Sequence, residues 1–173
     1  MAPSLLLAGR RLERELERRV QADRYWRGRI RELFTRSASL HLAILVEPYL
    51  SLLLQGKKTV ESRFSKTRIA PYGRVHDGDA LLLKRTSGPV LGVCEVRQVW
   101  SYRLAETVKK DIRTVFDDSL CADDDFWEVR KSACFATLIL VGRVIEFEPF
   151  SVAKRDRRGW IVLSERKGIA GPR

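Results

Sequence analysis

Residues 45–64 read LVEPYLSLLLQGKKTVESRF, and their reading decides the fold. The preceding LHLAILVE (40–47) is a short apolar run of the kind that forms a buried strand. Pro48 then suits the first turn of a helix, and Gly56 suits its end, so EPYLSLLLQG reads as a short helix. In KTVESRF the character switches to period two, which predicts a second strand. Glu61 and Arg63 then share one face, and Val60 and Phe64 take the other and point to the core. Lys58 has the opposite parity from Glu61 and joins that pair only if the chain turns at the strand start, as Gly56 permits. Such a trio is either an ordinary solvated salt-bridge strand or a cation–anion–cation set. In the set, Glu61 orients Lys58 and Arg63, and the cations bind phosphate.

Working outward, SKTRIAPYGRVHDGD is a turn-rich loop and ALLLKR (80–85) a third strand. VLGVCEVRQVWSY (90–102) is a long strand with a bulge expected at Gly92. LAETVKKDIRTVFDDSL (104–120) is a helix. DDDFWEVRKS (123–132) is a second, short one, capped by Asp124 or Asp125. ACFATLILVGRVIEFEPF (133–150) is one long strand, or two with a bend at Gly142, and GWIVLSE (159–165) closes the sheet. The order β-α-β-β-β-α-α-β-β, with short strands and few helices, predicts an α+β fold built on a small mixed β-barrel with short flanking helices. Ahead of it, residues 5–36 carry a helical stripe of Leu5, Leu12, Leu16, Val20, Ile30, Leu33 and Phe34, with Gly28 a plausible interruption. The expected organisation is a basic helical extension over 1–38, a domain over 39–166 and a flexible tail over 167–173.

Composition narrows the function. The 173 residues are 45% hydrophobic, which excludes wholesale disorder. No apolar run approaches the roughly 20 residues that span a bilayer, and MAPSLLLAGRR makes a poor signal peptide, so a cytoplasmic protein without membrane contact is expected. Cys94, Cys121 and Cys134 form no CxxC pair, and only His41 and His76 are present, so neither a disulfide framework nor a metal site is expected. Cys94 and Cys134 read as buried small hydrophobes, His41 as structural and His76 as exposed. No cofactor is called for. The net charge of +11 is uneven: +5 falls in residues 1–38 and +5 in 154–173, while 106–128 holds 8 acidic against 3 basic residues. That excess favours a polyanionic partner, nucleic acid first, against the alternative of an arginine-rich surface kept for solubility.

Further candidates follow from this charge pattern. Lys84 and Arg85 form a basic pair at the end of the third strand. KRDRRGW (154–160) offers Arg157 and Arg158 for phosphates and Trp160 as a stacking face. Tyr49, at the start of the first short helix, is the favoured stacking residue, with Tyr72 and Trp100 behind it; Trp127 reads as packed.

Gly56, Lys58, Glu61 and Arg63 spell G-x-K-x-x-E-x-R. With LVEPYLSLLL before them and Gly78-Asp79-ALLL after, this pattern resembles the signature of the ASCH domain family over about residues 40–165. The resemblance implies a barrel shared with PUA-like RNA-binding domains, with a cleft over it along the motif. It also implies RNA, single-stranded, or a modified nucleotide as the ligand. Some family members are described as ribonucleases of single-stranded RNA, and small relatives hydrolyse N4-acetylcytidine with a threonine and a lysine. Here Lys58 matches that lysine, but Glu61 stands in place of the threonine, which weakens the amidohydrolase reading. Three functions therefore stand: an RNA- or nucleotide-binding module; a metal-independent hydrolase in which Lys58 and Glu61 are catalytic; and a protein-interaction module using the N-terminal helix.

Overall fold

The structure, a computed structural model, describes residues 9–152 and 158–168. Two helices, α1 (Arg10–Val20) and α2 (Arg24–Phe34), precede β1 (Leu40–Leu45), α3 (Tyr49–Leu54), β2 (Val60–Ser65), β3 (Ala80–Arg85) and β4 (Val90–Arg103). Then come α4 (Glu106–Leu120), α5 (Asp124–Glu128), β5 (Phe135–Phe150) and β6 (Trp160–Ser164). The six strands form one sheet in the order β2-β5-β4-β3-β1-β6. β1 and β3 run parallel and every other pair is antiparallel. This is the mixed α+β architecture expected, curled into a half-barrel. The curl comes from the long strands β4 and β5, whose pairing shifts register three times. One shift falls at Gly92, where a Cβ would lie 2.5 Å from the Ile145 carbonyl oxygen, so only glycine admits that approach.

Both faces of the sheet are buried, which splits the core. The concave face gathers Ala43, Leu45, Leu81, Leu83, Cys94, Val96, Ile139 and Trp160, with Leu50 and Leu53 of α3 packed among them. On the convex face, Leu12, Leu16 and Val20 of α1 and Trp26, Ile30 and Leu33 of α2 cover Leu40, Leu42, Leu82 and Val93. A third cluster sets Ile112, Leu120 and Phe126 of α4 and α5 over Val60 and Leu138. From Leu12 onward the N-terminal stripe is thus a helical hairpin laid on the sheet, while Leu5 lies outside the described residues. Its break falls at residues 21–23, not at Gly28, because Asp23 caps α2 by accepting from the Trp26 amide at 2.9 Å. Likewise Asp123, not Asp124 or Asp125, caps α5, accepting from the Phe126 amide at 2.7 Å. Cys94 is buried and its thiol pKa is pushed up by that burial. Cys134, expected inside, is exposed, because it falls one residue before β5. No helix among the described residues is long and apolar enough to cross a membrane. The tail from 169 onward lies outside the described residues.

A buried polar hub fixes one end of the sheet. Asp79 is fully buried and accepts from the amides of Ser39 and His76, both at 2.8 Å. It also pairs with His41 Nε2 at 3.1 Å and with Arg166. Trp160 Nε1 donates to His41 Nδ1 at 3.2 Å, so the Nε2–H tautomer satisfies both neighbours. His41 is structural, as expected. His76 is half-buried against Asp79 instead of exposed, with Nδ1 3.9 Å from the carboxylate. Burial alone would raise the Asp79 pKa, but the hydrogen bonds from His41, Arg166 and the two amides together hold it below the ordinary value.

Asp79→Asn is expected to cost about 3 kcal/mol at neutral pH in chemical denaturation. Because the folded-state pKa is depressed, this stabilisation is complete above the unfolded pKa of about 3.9. It is lost as pH falls through the folded value. The wild type therefore loses an increment in acid that the variant lacks; parallel stability–pH curves would contradict this.

Candidate functional site

β2 lies at one edge of the sheet and β6 at the other. The curl brings β2 opposite the end of β1, leaving a seam between them. Register carries Glu61 opposite Ile139 and Arg63 opposite Thr137 on β5, and Ile139 belongs to the concave core. Glu61 and Arg63 therefore face the inside of the half-barrel, while Val60 and Phe64 face the layer under α4 and α5. The alternation expected from KTVESRF holds. What the sequence did not convey is that both faces are covered: Glu61 is only 4% exposed.

Lys58 reaches the pair through a turn. Gly56 adopts φ 71°, and the amides of Lys57 and Lys58 both donate to the Leu52 carbonyl, at 2.9 and 3.0 Å. The Lys58 side chain is 2% exposed. Its Nζ donates to the carbonyls of Val60 at 2.5 Å and Leu120 at 3.2 Å, and lies 3.7 Å from Glu61 Oε2. Leu120 is the last residue of α4. The ammonium thus meets a carbonyl at the negative end of that helix, where a cation is favoured. Burial pushes the Lys58 pKa down, opposed chiefly by the attraction of Glu61. Arg63 holds the other side: Nε lies 3.2 Å from Glu61 Oε1, and Nη2 crosses the seam to donate to the Ile44 carbonyl at 2.8 Å. The trio is the cation–anion–cation set, not a solvated strand surface. Lys58 is too deeply buried to meet a phosphate in this conformation.

Above the trio lies a cavity of about 230 Å³, walled by Ile44, Leu45 and Val46 of β1 and its exit, by Tyr49 of α3, and by Phe126 and Arg130. The Tyr49 ring sits 5.5 Å from Lys58 Nζ and packs edge-on against Phe126 at 5.9 Å. Burial, then the nearby Asp123 carboxylate, raises the Tyr49 pKa. Arg130, which sequence reasoning missed, donates from Nη1 to the Phe126 carbonyl at 2.7 Å and lies over the Phe126 ring at 3.7 Å. The only signal for it was its helical spacing of four from Phe126. The lining carries three cations, Lys58, Arg63 and Arg130, against the single carboxylate of Glu61.

The other candidates lie apart from this lining. Lys84 is buried and its Nζ donates to the carbonyls of Arg85 at 3.1 Å and Gly88 at 2.6 Å, closing the β3–β4 turn. Arg85 pairs with Glu47 at 3.1 Å. Trp160, expected as an exposed stacking face, is only 3% exposed. Its indole is spent on His41, and its ring lies 5.4 Å from the Arg63 guanidinium. Arg158 is exposed, while Lys154, Arg155 and Arg157 lie outside the described residues. Tyr72 packs on Phe135 at 5.2 Å and Trp100 on Phe116 at 5.1 Å. Trp127 packs as read, its Nε1 donating to Asp117 at 2.6 Å. Among the described residues, no group of three or more His, Cys, Asp or Glu is placed to hold a metal ion.

The family model described as "ASCH domain" matches residues 44–151. The chain is also similar to the crystal structure of ASCH from Zymomonas mobilis. The identity is 15% over 64% of this chain and 71% of that one, with a TM-score of 0.52. Against a serine-to-alanine mutant of the Zymomonas mobilis protein, the TM-score is 0.60 at 11% identity, covering 75% of this chain and 91% of that one. At such identities the likeness is one of fold. No curated protein matches the chain.

Removing the carboxylate leaves Lys58 buried without its counter-charge. Glu61→Ala is expected to cost about 3 kcal/mol in urea denaturation. A double-mutant cycle with Lys58→Met is expected to show coupling above about 1 kcal/mol. Additive effects would mean that the two charges do not sense each other.

Proposed function

We propose that this chain, which belongs to the ASCH domain family, binds single-stranded RNA by drawing one base into the seam above Lys58, Glu61 and Arg63. The observation that carries this reading is the Glu61 carboxylate on the cavity floor. Its two cationic partners stand at 3.2 and 3.7 Å, beyond the roughly 2.7–2.9 Å of a charge-assisted hydrogen bond. The carboxylate thus keeps acceptor capacity for an N–H donor on a base edge. Tyr49 supplies an aromatic wall and Arg130 a cationic one, the pairing that holds single-stranded nucleic acid. At about 230 Å³ the cavity is smaller than the roughly 300–1,000 Å³ of common ligand sites, so it accommodates one ring system and leaves the backbone outside. The overall charge of +11 supports a polyanion as the partner.

A second reading, hydrolysis of RNA or of a modified nucleoside, is favoured by one observation. Burial lowers the Lys58 pKa, which moves the amine toward the free-base form that a general base or nucleophile needs. Glu61 stands beside it as a proton partner.

Fluorescence anisotropy with labelled single-stranded RNA tests the binding reading. Tyr49→Ala is expected to weaken affinity about tenfold, as loss of one stacking contact does. Arg130→Ala is expected to weaken it and flatten its salt dependence. Unchanged affinity in both variants would remove the base from this cavity. The same RNA, incubated in EDTA and resolved on a denaturing gel, tests strand cleavage: fragments that disappear with Lys58→Ala would establish it, and intact RNA would rule it out and leave only the modified-nucleoside form of the second reading.

A further inference from the structure

The seam does not end at Arg63. Beyond it lies a second cavity of about 180 Å³, bounded by Phe64 and Ser65 of β2, by Ile69, Pro71 and Tyr72 of the following loop, and by Gly159 and Trp160. Arg63 belongs to the linings of both cavities. Its Nη2 is tied to Ile44, and its Nη1 lies so close to Gly159 that a Cβ there would stand 3.1 Å away. The arginine thus crosses the seam as a partition one side chain thick, with 24% of that side chain still exposed.

The second cavity has the make-up of a ligand site: apolar and aromatic walls with a few polar groups, here Ser65 and Thr137. Ile69 stands at its lip with 59% of its surface exposed, although it is a large apolar residue. Tyr72 is half-buried against Phe135. Each cavity alone accommodates one ring system, and a guanidinium stands between them.

We propose that the seam takes two successive nucleotides of a single RNA strand. One base occupies the cavity above Glu61, the next lies against Tyr72 and Ile69, and the phosphate joining them meets the exposed edge of Arg63. An arginine fork suits a phosphodiester, and two ring-sized sites on either side of it match a base–phosphate–base unit. This inference rests on the reading of the first cavity as a base site. It adds a minimal ligand, a dinucleotide, and a role for Arg63 as the residue that spaces the bases.

Isothermal titration calorimetry on the full chain separates the two claims. The probes are the four nucleoside 3′-monophosphates and, for the tightest of them, the dinucleotides made by adding adenosine on either side. One dinucleotide is expected to bind about tenfold or more tighter than its mononucleotide, the worth of an added stacked base. In Tyr72→Ala that ratio is expected to fall toward one, and in Ile69→Ser, at a position 59% exposed, to fall as well. Mononucleotide binding with no gain from the second nucleotide would overturn the two-base seam and leave the first-cavity reading standing. A gain that survives both variants would also overturn it, placing the second base elsewhere. No binding of any mononucleotide or dinucleotide would overturn the first-cavity reading and this one together.

Discussion

One hydrogen bond, from Arg63 Nη2 to the Ile44 carbonyl, spans a gap that backbone pairing leaves open. The sheet curls until β2 faces the end of β1, yet its strand order places β2 and β6 at opposite edges, with no ladder between them among the described residues. An arginine long enough to cross then serves as the tie. A guanidinium so placed needs a counter-charge, which Glu61 provides from the same face of the same strand. A carboxylate at 4% exposure is itself costly unless cations approach from more than one side, and Lys58 supplies the second approach. The motif is therefore one electrostatic unit whose members explain each other.

The surrounding elements hold that unit in place. α3 ends at Leu54, and the Leu52 carbonyl accepts both amides that follow Gly56, which fixes where Lys58 leaves the backbone. α4 ends with the Leu120 carbonyl directed at the Lys58 ammonium. α5 brings Phe126 and, just beyond its end, Arg130 over the cavity. Helices that cover the outside of β2 thus also determine the inside of the seam, because Val60 and Phe64 anchor them on one face while Glu61 and Arg63 face the other.

Much of this was legible in the residues. The alternation in KTVESRF assigned faces correctly, and the turn at Gly56 allowed Lys58 to join despite its parity. The ALLLKR boundaries and the bulge at Gly92 were readable from apolar runs and a lone glycine. Local pattern failed where distant partners decide. Trp160 resembles a base platform beside arginines, but His41, 119 residues away in the chain, claims its indole. Lys84 resembles a surface cation, but the β3–β4 turn folds back to collect its donors. Arg130 had no charge cluster to mark it, and only the docking of α5 over the seam gives it a place. The helical break at residues 21–23 was masked by the more obvious Gly28, because a capping aspartate outranks a tolerated glycine inside a helix.

The partition formed by Arg63 also couples the fold to the two cavities. The residue that ties the half-barrel shut is the same one that borders both cavities, so a substitution there alters the closure and both linings at once. The walls are a separate matter: Tyr49, Arg130, Ile69 and Tyr72 border the cavities but take no part in the hydrogen bond from Arg63 to Ile44. A crossbar shared by two cavities sets the spacing between them independently of the side chains that form their outer walls.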